Sequence, residues 1–324
     1  MSAVPDLPEV SLCIPAWRSE PFIARALDCA LAQTYPHTRI LVSVDQCEDA
    51  TAAICHAYAR ADSRIEVFVQ AERQGWARNI NFLLDKVRTE FYFLYFHDDL
   101  IEPGYIEQLL EALRRRPDAV SAHCDMGHFG ASDHVSHGVD YPESAVHRMA
   151  WFLVAPNRGS PMRSLTRSRV LEAGLRLPTD AVDGLWASEP YLMGLLASGP
   201  ALRVPEILYL RWDKRSGGLT DGWQRLSLDQ QVAGYRANIS SLLSIIDSVS
   251  GSDAERQALR LCLYVHYLPR IRLLEGQYGS ASAMPAGEVH PVFAVKPLPR
   301  ELEVLGSQAH EWALQRYAGL ESEV

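Results

Sequence analysis

Apolar and polar positions follow two alternating periods along the first 125 residues. Short runs of apolar, β-branched and aromatic residues recur at regular intervals, at residues 10–14, 39–44, 65–69, 91–96 and 119–123. Between successive runs, apolar residues return every three or four positions, which is typical of an amphipathic helix. Strands that alternate with helices predict an α/β fold with a doubly wound, mostly parallel sheet.

Two of the connecting segments carry signals of helix boundaries. In the first, Phe22, Ala26 and Ala30 fall on one apolar face, and Ser19 is expected to cap the amino terminus. In the fourth, Pro103 is expected just inside the first turn. The basic run at residues 114–116 follows at the end where cations suit the helix dipole. Both segments are therefore predicted as helices that connect strands of the sheet.

The pattern divides the chain into parts. Residues 1–122 carry the regular rhythm of strands and helices, and residues 123–222 form a less regular half of the same domain. From residue 223 onward the apolar spacing is helical. We therefore expect one α/β domain over residues 1–222 and a helical C-terminal region over residues 223–324.

The C-terminal region contains a stretch rich in Gly, Ser, Ala and Pro at residues 276–287, which is typical of a loop. A last helix is predicted near residues 301–317, where Trp312 and Tyr317 provide an apolar edge. These C-terminal helices are expected to pack on the α/β domain or to form a homodimer.

Residues 123–158 are polar and irregular in pattern, and they contain five histidines: His123, His128, His134, His137 and His147. The spacings between these histidines fit no standard pattern of zinc ligands. A long irregular segment of this kind favours an acceptor-binding or lid loop over a metal centre.

Charge and composition exclude several classes of protein. Against 31 Lys and Arg stand 40 Asp and Glu, so the formal net charge is −9 and binding of nucleic acid is not expected. No apolar stretch is long enough for a transmembrane segment, and the amino terminus lacks a secretory signal, so a cytoplasmic location is predicted. The six cysteines include no C-x-x-C pair and are expected to be free thiols.

The segment after the first predicted strand contains no glycine, and this excludes the common phosphate-binding loops there. Gly75 is the first glycine of the chain, so neither a dinucleotide-binding G-x-G-x-x-G loop nor a P-loop follows the first strand. Pro15 stands where a phosphatase of the aspartyl type would carry its nucleophile. If this edge binds phosphate, a divalent cation held by carboxylates is the remaining device.

Two adjacent carboxylates follow the most apolar of the predicted strands. Asp98 and Asp99 come directly after the run at residues 91–96, and Asp45 follows the second strand. In an open parallel sheet, ligands bind outside the carboxyl ends of the strands, so these carboxylates are expected to face one cleft. Carboxylate oxygens suit hard cations, which favours Mn²⁺ or Mg²⁺ at Asp98 and Asp99.

Five short segments occur in a recognisable order and spacing. They read LCIPAW at 12–17, LAQTYP at 31–36, VD at 44–45, GWARN at 75–79 and HDD at 97–99. Together they resemble the nucleotide-sugar-binding half of the family 2 glycosyltransferases, which have a GT-A type fold. A looser similarity over residues 188–211 extends to the acceptor side of that family.

The resemblance implies a nucleotide-diphosphate sugar as donor, with a UDP-sugar favoured, and an unidentified hydroxyl compound as acceptor. It implies nucleoside contacts from four residues: Pro15, Ala16, Trp17 and Asp45. It further implies that Gly75 and Arg78 lie beside the nucleotide, with Asp98 nearer the ribose and Asp99 nearer the metal ion.

The resemblance also implies a carboxylate base that deprotonates the acceptor hydroxyl, opposite the leaving group if the enzyme inverts. Glu189 is the first candidate and Asp183 the second, although Pro190 stands where the family usually has Asp. His97 and Asp213 also depart from the family pattern. Leu208 stands where processive synthases carry Gln, which favours the transfer of single sugars.

Two other functions remain open from the sequence. A nucleotidyltransferase that acts on a sugar phosphate would use a similar cleft and release pyrophosphate. A sugar-nucleotide-binding protein that has lost its base would bind donor without turnover, and His97 and Pro190 are the residues that favour it.

Overall fold

The computed structural model describes residues 7–154, 160–213, 222–223 and 225–278. Within these residues, nine strands form one mixed sheet. The strands are β1 (Val10–Ala16), β2 (Thr38–Val44), β3 (Ile65–Val69), β4 (Phe91–Leu94), β5 (Leu100–Ile101), β6 (Ser121–Gly130), β7 (Val135–Ser136), β8 (Leu165–Arg167) and β9 (Ala201–Asp213). Their order is β3-β2-β1-β4-β8-β6-β9-β5, and β7 pairs with β6.

Most of the long strands run in the same direction. Strands β1 to β4 pair in parallel, whereas β8 is antiparallel to both β4 and β6. Since two reversals restore the direction, β6 runs parallel to β4, and β9 is parallel to β6. The carboxyl ends of β1, β2, β4, β6 and β9 therefore meet at one edge, as the prediction of a mostly parallel α/β sheet requires.

Nine α-helices accompany the sheet in the described part of the chain. They are α1 (Ile23–Leu31), α2 (Thr51–Ala61), α3 (Trp76–Leu84), α4 (Tyr105–Arg115), α5 (Ala145–Val154), α6 (Arg169–Glu172), α7 (Ser188–Ser198), α8 (Leu228–Ser248) and α9 (Asp253–Tyr278). Short 3₁₀ turns occur at Ser160–Arg163 and Val182–Gly184. Both faces of the sheet are covered, which explains why the central strands are apolar throughout.

Alternate residues of the central strands enter two separate cores. Leu12 and Phe93 pack with α1 and α4 on one face, whereas Cys13 and Tyr92 pack with α3, α5 and α7 on the other. Neighbouring strand residues point to opposite faces of a sheet, so this division follows directly from the strand geometry. The doubly wound arrangement predicted from the sequence is confirmed.

The described part of the helical C-terminal region belongs to the second core. Ile239, Leu242 and Ile246 of α8 and Leu259 and Leu263 of α9 are buried in the same cluster as α7. Helix α9 continues to Tyr278, so residues 276–278 are helical where a loop was expected. The rest of that loop, the helix predicted near residues 301–317, Trp312 and Tyr317 lie outside the described residues.

The prediction of an irregular segment from residue 123 is wrong. Strand β6 continues to Gly130, the β6–β7 hairpin follows, and α5 occupies part of the remainder. Because β6 contains several polar residues, its hydropathy pattern did not indicate a strand beyond residue 123. His123 and Asp125 are buried there; the Nε2 of His123 pairs with the Val139 carbonyl oxygen, and the Asp125 carboxylate accepts hydrogen bonds from His137 and Arg203.

Two helix boundaries also differ from the prediction. Ser19 does not cap α1 with its side chain; its hydroxyl accepts a hydrogen bond from the Trp17 amide, and its carbonyl accepts those of Phe22 and Ile23. Pro103 lies before α4 rather than in its first turn, because the helix begins at Tyr105 after Gly104.

The remaining global expectations concern thiols and membrane spans. All six cysteines are free, as predicted, and burial raises the pKa of the Cys55 and Cys124 thiols to about 12. Among the residues that the structure describes, none of the helices has both the length and the apolar character that a membrane crossing needs.

Candidate active site

A cavity of about 280 Å³ opens at the carboxyl edge of the sheet, between the start of α3 and the segment around Val182–Gly184. Its lining residues are Gln74, Gly75, Ala77, Arg78, Thr179, Asp180, Ala181, Val182 and Gly184. Two of the predicted site residues, Gly75 and Arg78, therefore line the cavity. Val182 and Gly184, the neighbours of Asp183 along the chain, line it as well, so the backbone of Asp183 borders the same space.

Asp45 fixes the loop that precedes α3. Its carboxylate accepts hydrogen bonds from the amides of Gln74 (2.7 Å) and Gly75 (2.9 Å). Gly75 has a φ of +79°, a left-handed conformation that favours glycine, and this allows both amides to point at the carboxylate. Asp45 is only 2% exposed. Asp45, which was predicted to contact the nucleoside, thus holds two residues of the cavity wall, Gln74 and Gly75, in place.

Asp99 is held by three partners that lie far along the chain, between residues 163 and 212. One carboxylate oxygen, Oδ2, accepts hydrogen bonds from Tyr209 Oη (2.6 Å) and Arg163 Nε (3.3 Å). The other, Oδ1, accepts the Trp212 amide at 2.8 Å. The residue is 3% exposed, so this carboxylate does not face an open cleft as expected. It ties the end of β4 to the end of β9.

The ionic state of this cluster follows from its surroundings. Burial raises the pKa of Tyr209 well above its usual value, and the Asp99 charge raises it further, so Tyr209 remains a hydroxyl donor. Burial lowers the pKa of Arg163. The electrostatic interactions and hydrogen bonds with Tyr209 and Asp99 outweigh this effect, so the pKa of Arg163 is raised. A charged guanidinium therefore lies beside the buried carboxylate.

Asp98 and His97 complete the segment after β4. The side chain of Asp98 is half-buried, between His97 and the buried Asp99. His97 Nδ1 lies 3.0 Å from the Pro15 carbonyl oxygen, which can only accept, so Nδ1 is the donor. Asp98 and Asp99 together offer oxygen ligands of the kind that Mn²⁺ and Mg²⁺ prefer, and Oδ1 of Asp99 keeps one lone pair beyond its bond to Trp212.

Trp17 lies directly after β1 and is covered by cations. The guanidinium carbon of Arg73 lies 3.6 Å from the centroid of its ring, and that of Arg18 lies 4.9 Å away. Attraction between guanidinium groups and the indole face explains this arrangement. The guanidinium groups of Arg73 and Arg18 thus place positive charge over Trp17, beside the end of β1.

Glu189 is buried against the C-terminal helices rather than open to the cavity. Its carboxylate accepts the Tyr267 hydroxyl at 2.8 Å and lies 3.3 Å from His266 Nε2. His266 Nδ1 lies 3.0 Å from the Leu153 carbonyl oxygen and must donate there. Glu189 is 8% exposed.

Comparisons with known proteins identify the domain that carries this site. Residues 11–162 match the glycosyl transferase family 2 profile. The matched segment contains Trp17, Asp45, the start of α3 and the segment after β4, whereas the cavity wall at residues 179–184 follows it along the chain.

Residues 11–162 form a family 2 glycosyltransferase domain.

A relative and two solved structures are similar to this chain, the first in sequence and the other two in fold. The Bacillus subtilis (strain 168) protein EpsH is 30% identical over 173 residues, which cover 52% of this chain and 49% of EpsH. The chain thus spans about half the length of that relative. The structure of Staphylococcus aureus TarS residues 1–349 in complex with UDP-GlcNAc matches with a TM-score of 0.67 and 13% identity, over 84% of this chain and 76% of TarS.

A second solved structure extends the similarity of fold. The mannosyltransferase PcManGT from Pyrobaculum calidifontis, in complex with GDP-Man and Mn²⁺, matches with a TM-score of 0.53 and 16% identity. The match covers 98% of this chain and 88% of PcManGT. At these identities the likeness concerns the fold, which is the GT-A type expected from the sequence.

The described residues also contain a polar cluster that was not predicted from the sequence. His128, His134 and Asp213 each offer a ligand atom, and these atoms all lie within 4.8 Å of one another. The spacing of the two histidines gave no zinc pattern, because the third member lies 79 residues beyond His134, at the end of β9. Burial lowers the pKa of His128 despite the adjacent Asp213 carboxylate, so this ring is neutral at neutral pH.

Three tryptophans beside the cavity were likewise not predicted to lie together. The rings of Trp186 and Trp223 lie 5.3 Å apart, and that of Trp76 lies 6.4 Å from Trp223. They pack around Ala181 and Leu185, of which Ala181 lines the cavity. Their separation along the chain leaves no local signal in the sequence.

Proposed function

We propose that this protein transfers a single sugar from a nucleotide-diphosphate sugar to an acceptor hydroxyl with the help of Mn²⁺ or Mg²⁺. The observation that carries the proposal is the arrangement at the carboxyl edge. There the loop held by Asp45, the Asp98 carboxylate and a cavity lined by Gly75 and Arg78 follow three different strands of a family 2 domain. The TarS complex with UDP-GlcNAc and the PcManGT complex with GDP-Man and Mn²⁺ support a donor of this class.

The residues around β1 and α3 would hold the donor. Trp17 and Ala16 would lie beside the nucleoside, and the guanidinium of Arg78, which is exposed in the cavity wall, suits a diphosphate. Arg73 covers one face of Trp17, so a stacked base would use the other face or displace that side chain. A UDP-sugar is the favoured donor.

The carboxylates after β4 would hold the cation. Asp98 is the first ligand that we assign, because the Asp99 carboxylate already accepts three hydrogen bonds from Tyr209, Arg163 and Trp212. Asp99 would share its Oδ1 lone pair with the ion. When bound, the cation supplies positive charge that stabilises the departing nucleoside diphosphate.

A carboxylate base would complete an inverting reaction. It would take the proton of the acceptor hydroxyl, whose oxygen forms a bond to the anomeric carbon as the bond from that carbon to the diphosphate breaks. The backbone position of Asp183 at the cavity supports this residue, whereas the bonds from His266 and Tyr267 to Glu189 support a buried structural role. We therefore rank Asp183 before Glu189.

Three further expectations stay predictions. They are a cytoplasmic location, transfer of one sugar at a time rather than polymerisation, and a homodimer through the C-terminal helices. The domain limits at residues 222 and 223 are a prediction of the same kind.

Product analysis with the full chain tests the proposed reaction. The protein is incubated with Mn²⁺, a UDP-sugar and a pool of hydroxyl acceptors, and nucleoside diphosphate is measured. Release of nucleoside diphosphate above the background of heat-treated protein is expected. Pyrophosphate release from a nucleoside triphosphate and a sugar phosphate would instead show nucleotidyl transfer. Donor binding without any release would show a binding protein, the function that the buried position of Glu189 favours.

A further inference from the structure

We propose that His128, His134 and Asp213 bind a divalent transition-metal ion at a site separate from the Asp98 carboxylate. The site lies at the ends of β6 and β9, where Gly130 pairs with Asp213, and on the hairpin that leads to β7. It has two imidazoles and one carboxylate as ligands. Such a set suits Zn²⁺, Co²⁺ or Mn²⁺ better than Mg²⁺.

The ligand atoms are close to the spacing that one metal ion imposes. His128 Nδ1 lies 3.0 Å from Asp213 Oδ2, and the three ligand atoms lie within 4.8 Å of one another. Metal–nitrogen distances of about 2.1 Å in a tetrahedral site imply ligand separations of about 3.4 Å. The exposed His134 side chain, stacked on His128 with ring centroids 4.0 Å apart, needs only a small rotation to close the remaining distance.

His128 is already oriented as a metal ligand would be. Its Nε2 lies 2.8 Å from the hydroxyl of the buried Ser136. Without a metal ion, Nδ1 carries the ring proton and donates it to the Asp213 carboxylate, so the Ser136 hydroxyl donates to Nε2. A metal ion at Nδ1 would move the ring proton to Nε2 by exchange with solvent, and the same hydroxyl could then accept from Nε2. The Ser132 hydroxyl donates to the same Asp213 oxygen and would remain beside the site. Arg211 lies 3.5 Å from the other oxygen of Asp213, so Oδ2 remains the oxygen that faces the metal.

The proposed metal site lies close to the carboxyl edge of the sheet, where the sugar donor is proposed to bind. Asp213 follows Trp212, whose amide is bonded to Asp99, so a cation at Asp213 adds positive charge next to the segment that carries Asp98. Two imidazoles and one carboxylate leave at least one coordination position for water or a donor oxygen. All three proposed ligands belong to the protein, so the site can bind a metal ion without a nucleotide. Metal binding can therefore be tested independently of the proposed sugar transfer.

Metal titration of the full chain tests the site. The protein is stripped of divalent ions with a chelator, and Zn²⁺ and Co²⁺ binding is measured by calorimetry and by the visible absorption of bound Co²⁺, without nucleotide. One ion per chain is expected in the wild type and in Asp98→Asn. The variant His134→Ala, which removes an exposed side chain, should weaken binding more than the roughly 10–100-fold that loss of a partner to a ligand causes. Ser136→Ala should fall within that range.

The matched control is His137→Ala, which removes an exposed histidine of the same hairpin that lies outside the group. Asp125 keeps Arg203 as its partner in that variant. Binding of the wild-type affinity in His134→Ala and Asp213→Asn would overturn the proposal, as would equal losses in His137→Ala. Loss of metal binding in Asp98→Asn alone would place the ion at the donor site instead. Donor binding and turnover are measured in separate experiments. If the protein neither binds a donor nor transfers a sugar, the metal titration still tests the proposed metal site.

Discussion

The Tyr209 hydroxyl donates a hydrogen bond of 2.6 Å to the carboxylate of Asp99. Tyr209 lies in β9 and Asp99 follows β4, so this bond joins two distant segments of the chain at the edge where the donor is proposed to bind. Arg163 and the Trp212 amide complete the enclosure of the same carboxylate. Adjacent acidic residues thus differ in their surroundings, since Asp98 is half-buried and Asp99 is almost inaccessible.

The two aspartates are therefore expected to respond differently to substitution. Asp99→Asn removes the counter-charge of Arg163 and should lower the free energy of unfolding by about 3 kcal/mol, because an uncompensated charge then remains buried. Asp98→Asn should cost much less stability but should abolish the stabilisation by Mn²⁺ and donor. Urea denaturation and thermal shift with each ligand measure the two effects.

Tyr209→Phe serves as the control, since it keeps the aromatic ring and the Asp99 charge. It should cost about 1 kcal/mol through one lost hydrogen bond and leave the metal response intact. If Asp99→Asn were as stable as the wild type and had lost its metal response, Asp99 would be the principal metal ligand.

Arg78 is expected to contribute to donor affinity. Because its guanidinium is exposed in the cavity wall, Arg78→Ala should raise the dissociation constant for nucleoside diphosphate roughly tenfold, the value of one charge-assisted hydrogen bond. The effect should shrink as the salt concentration rises. Isothermal titration calorimetry at two ionic strengths measures it.

Arg60→Ala is the matched control for the cavity arginine. Arg60 is exposed in the last turn of α2, and a helix that returns between parallel strands ends at the opposite edge of the sheet. An equal loss of affinity in both variants would show that only the net charge matters and would remove Arg78 from the site.

Turnover should distinguish the two candidates for the base. Asp183→Asn is expected to lower kcat by roughly two to four decades, with an unchanged dissociation constant for the donor. Glu189→Gln, in which the buried amide can still accept a hydrogen bond from Tyr267, is expected to retain most of the activity and to lower the melting temperature. Single-turnover assays with saturating donor measure the rates. The opposite result, a large loss of kcat in Glu189→Gln alone, would restore Glu189 as the base.

The ion pair between Asp125 and Arg203 predicts a pH dependence of stability. Burial opposes the charge of Asp125, but the hydrogen bonds from Arg203, His137 and the Gly138 amide lower its pKa from 3.8 to about 2. A lowered pKa in the folded state stabilises the fold above about pH 4, and this contribution is lost as the pH falls towards 2. Asp125→Asn should therefore cost about 2 kcal/mol at pH 7.

Denaturation curves at several pH values test this dependence. The difference in unfolding free energy between wild type and Asp125→Asn should be constant from pH 7 to about pH 4 and should decrease below that. Asp140→Asn, which removes the exposed partner of the same Arg203, should have a much smaller effect. A difference that does not change with pH would show that the Asp125 charge is irrelevant to the fold.

The sequence predicted those features that depend on local periodicity. The alternating strands and helices and the apolar β4 were readable, because each depends on neighbouring residues. Gly75 and Arg78, which the family resemblance indicated, line one cavity at the start of α3. Strand β6 was not, since its buried His123 and Asp125 take their partners from distant segments. The pairing of Asp99 with Tyr209 spans 110 residues, and no local pattern could reveal it.

The central claim is that the carboxyl edge of this sheet binds a nucleotide-diphosphate sugar together with a divalent cation. A thermal-shift panel of UDP-, GDP-, CDP- and dTDP-sugars, each with and without Mn²⁺, tests it most directly. The account predicts that at least one donor, with UDP-sugars first, raises the melting temperature only when Mn²⁺ is present, and that Asp98→Asn loses this response. No metal-dependent shift with any of the four donors would contradict it.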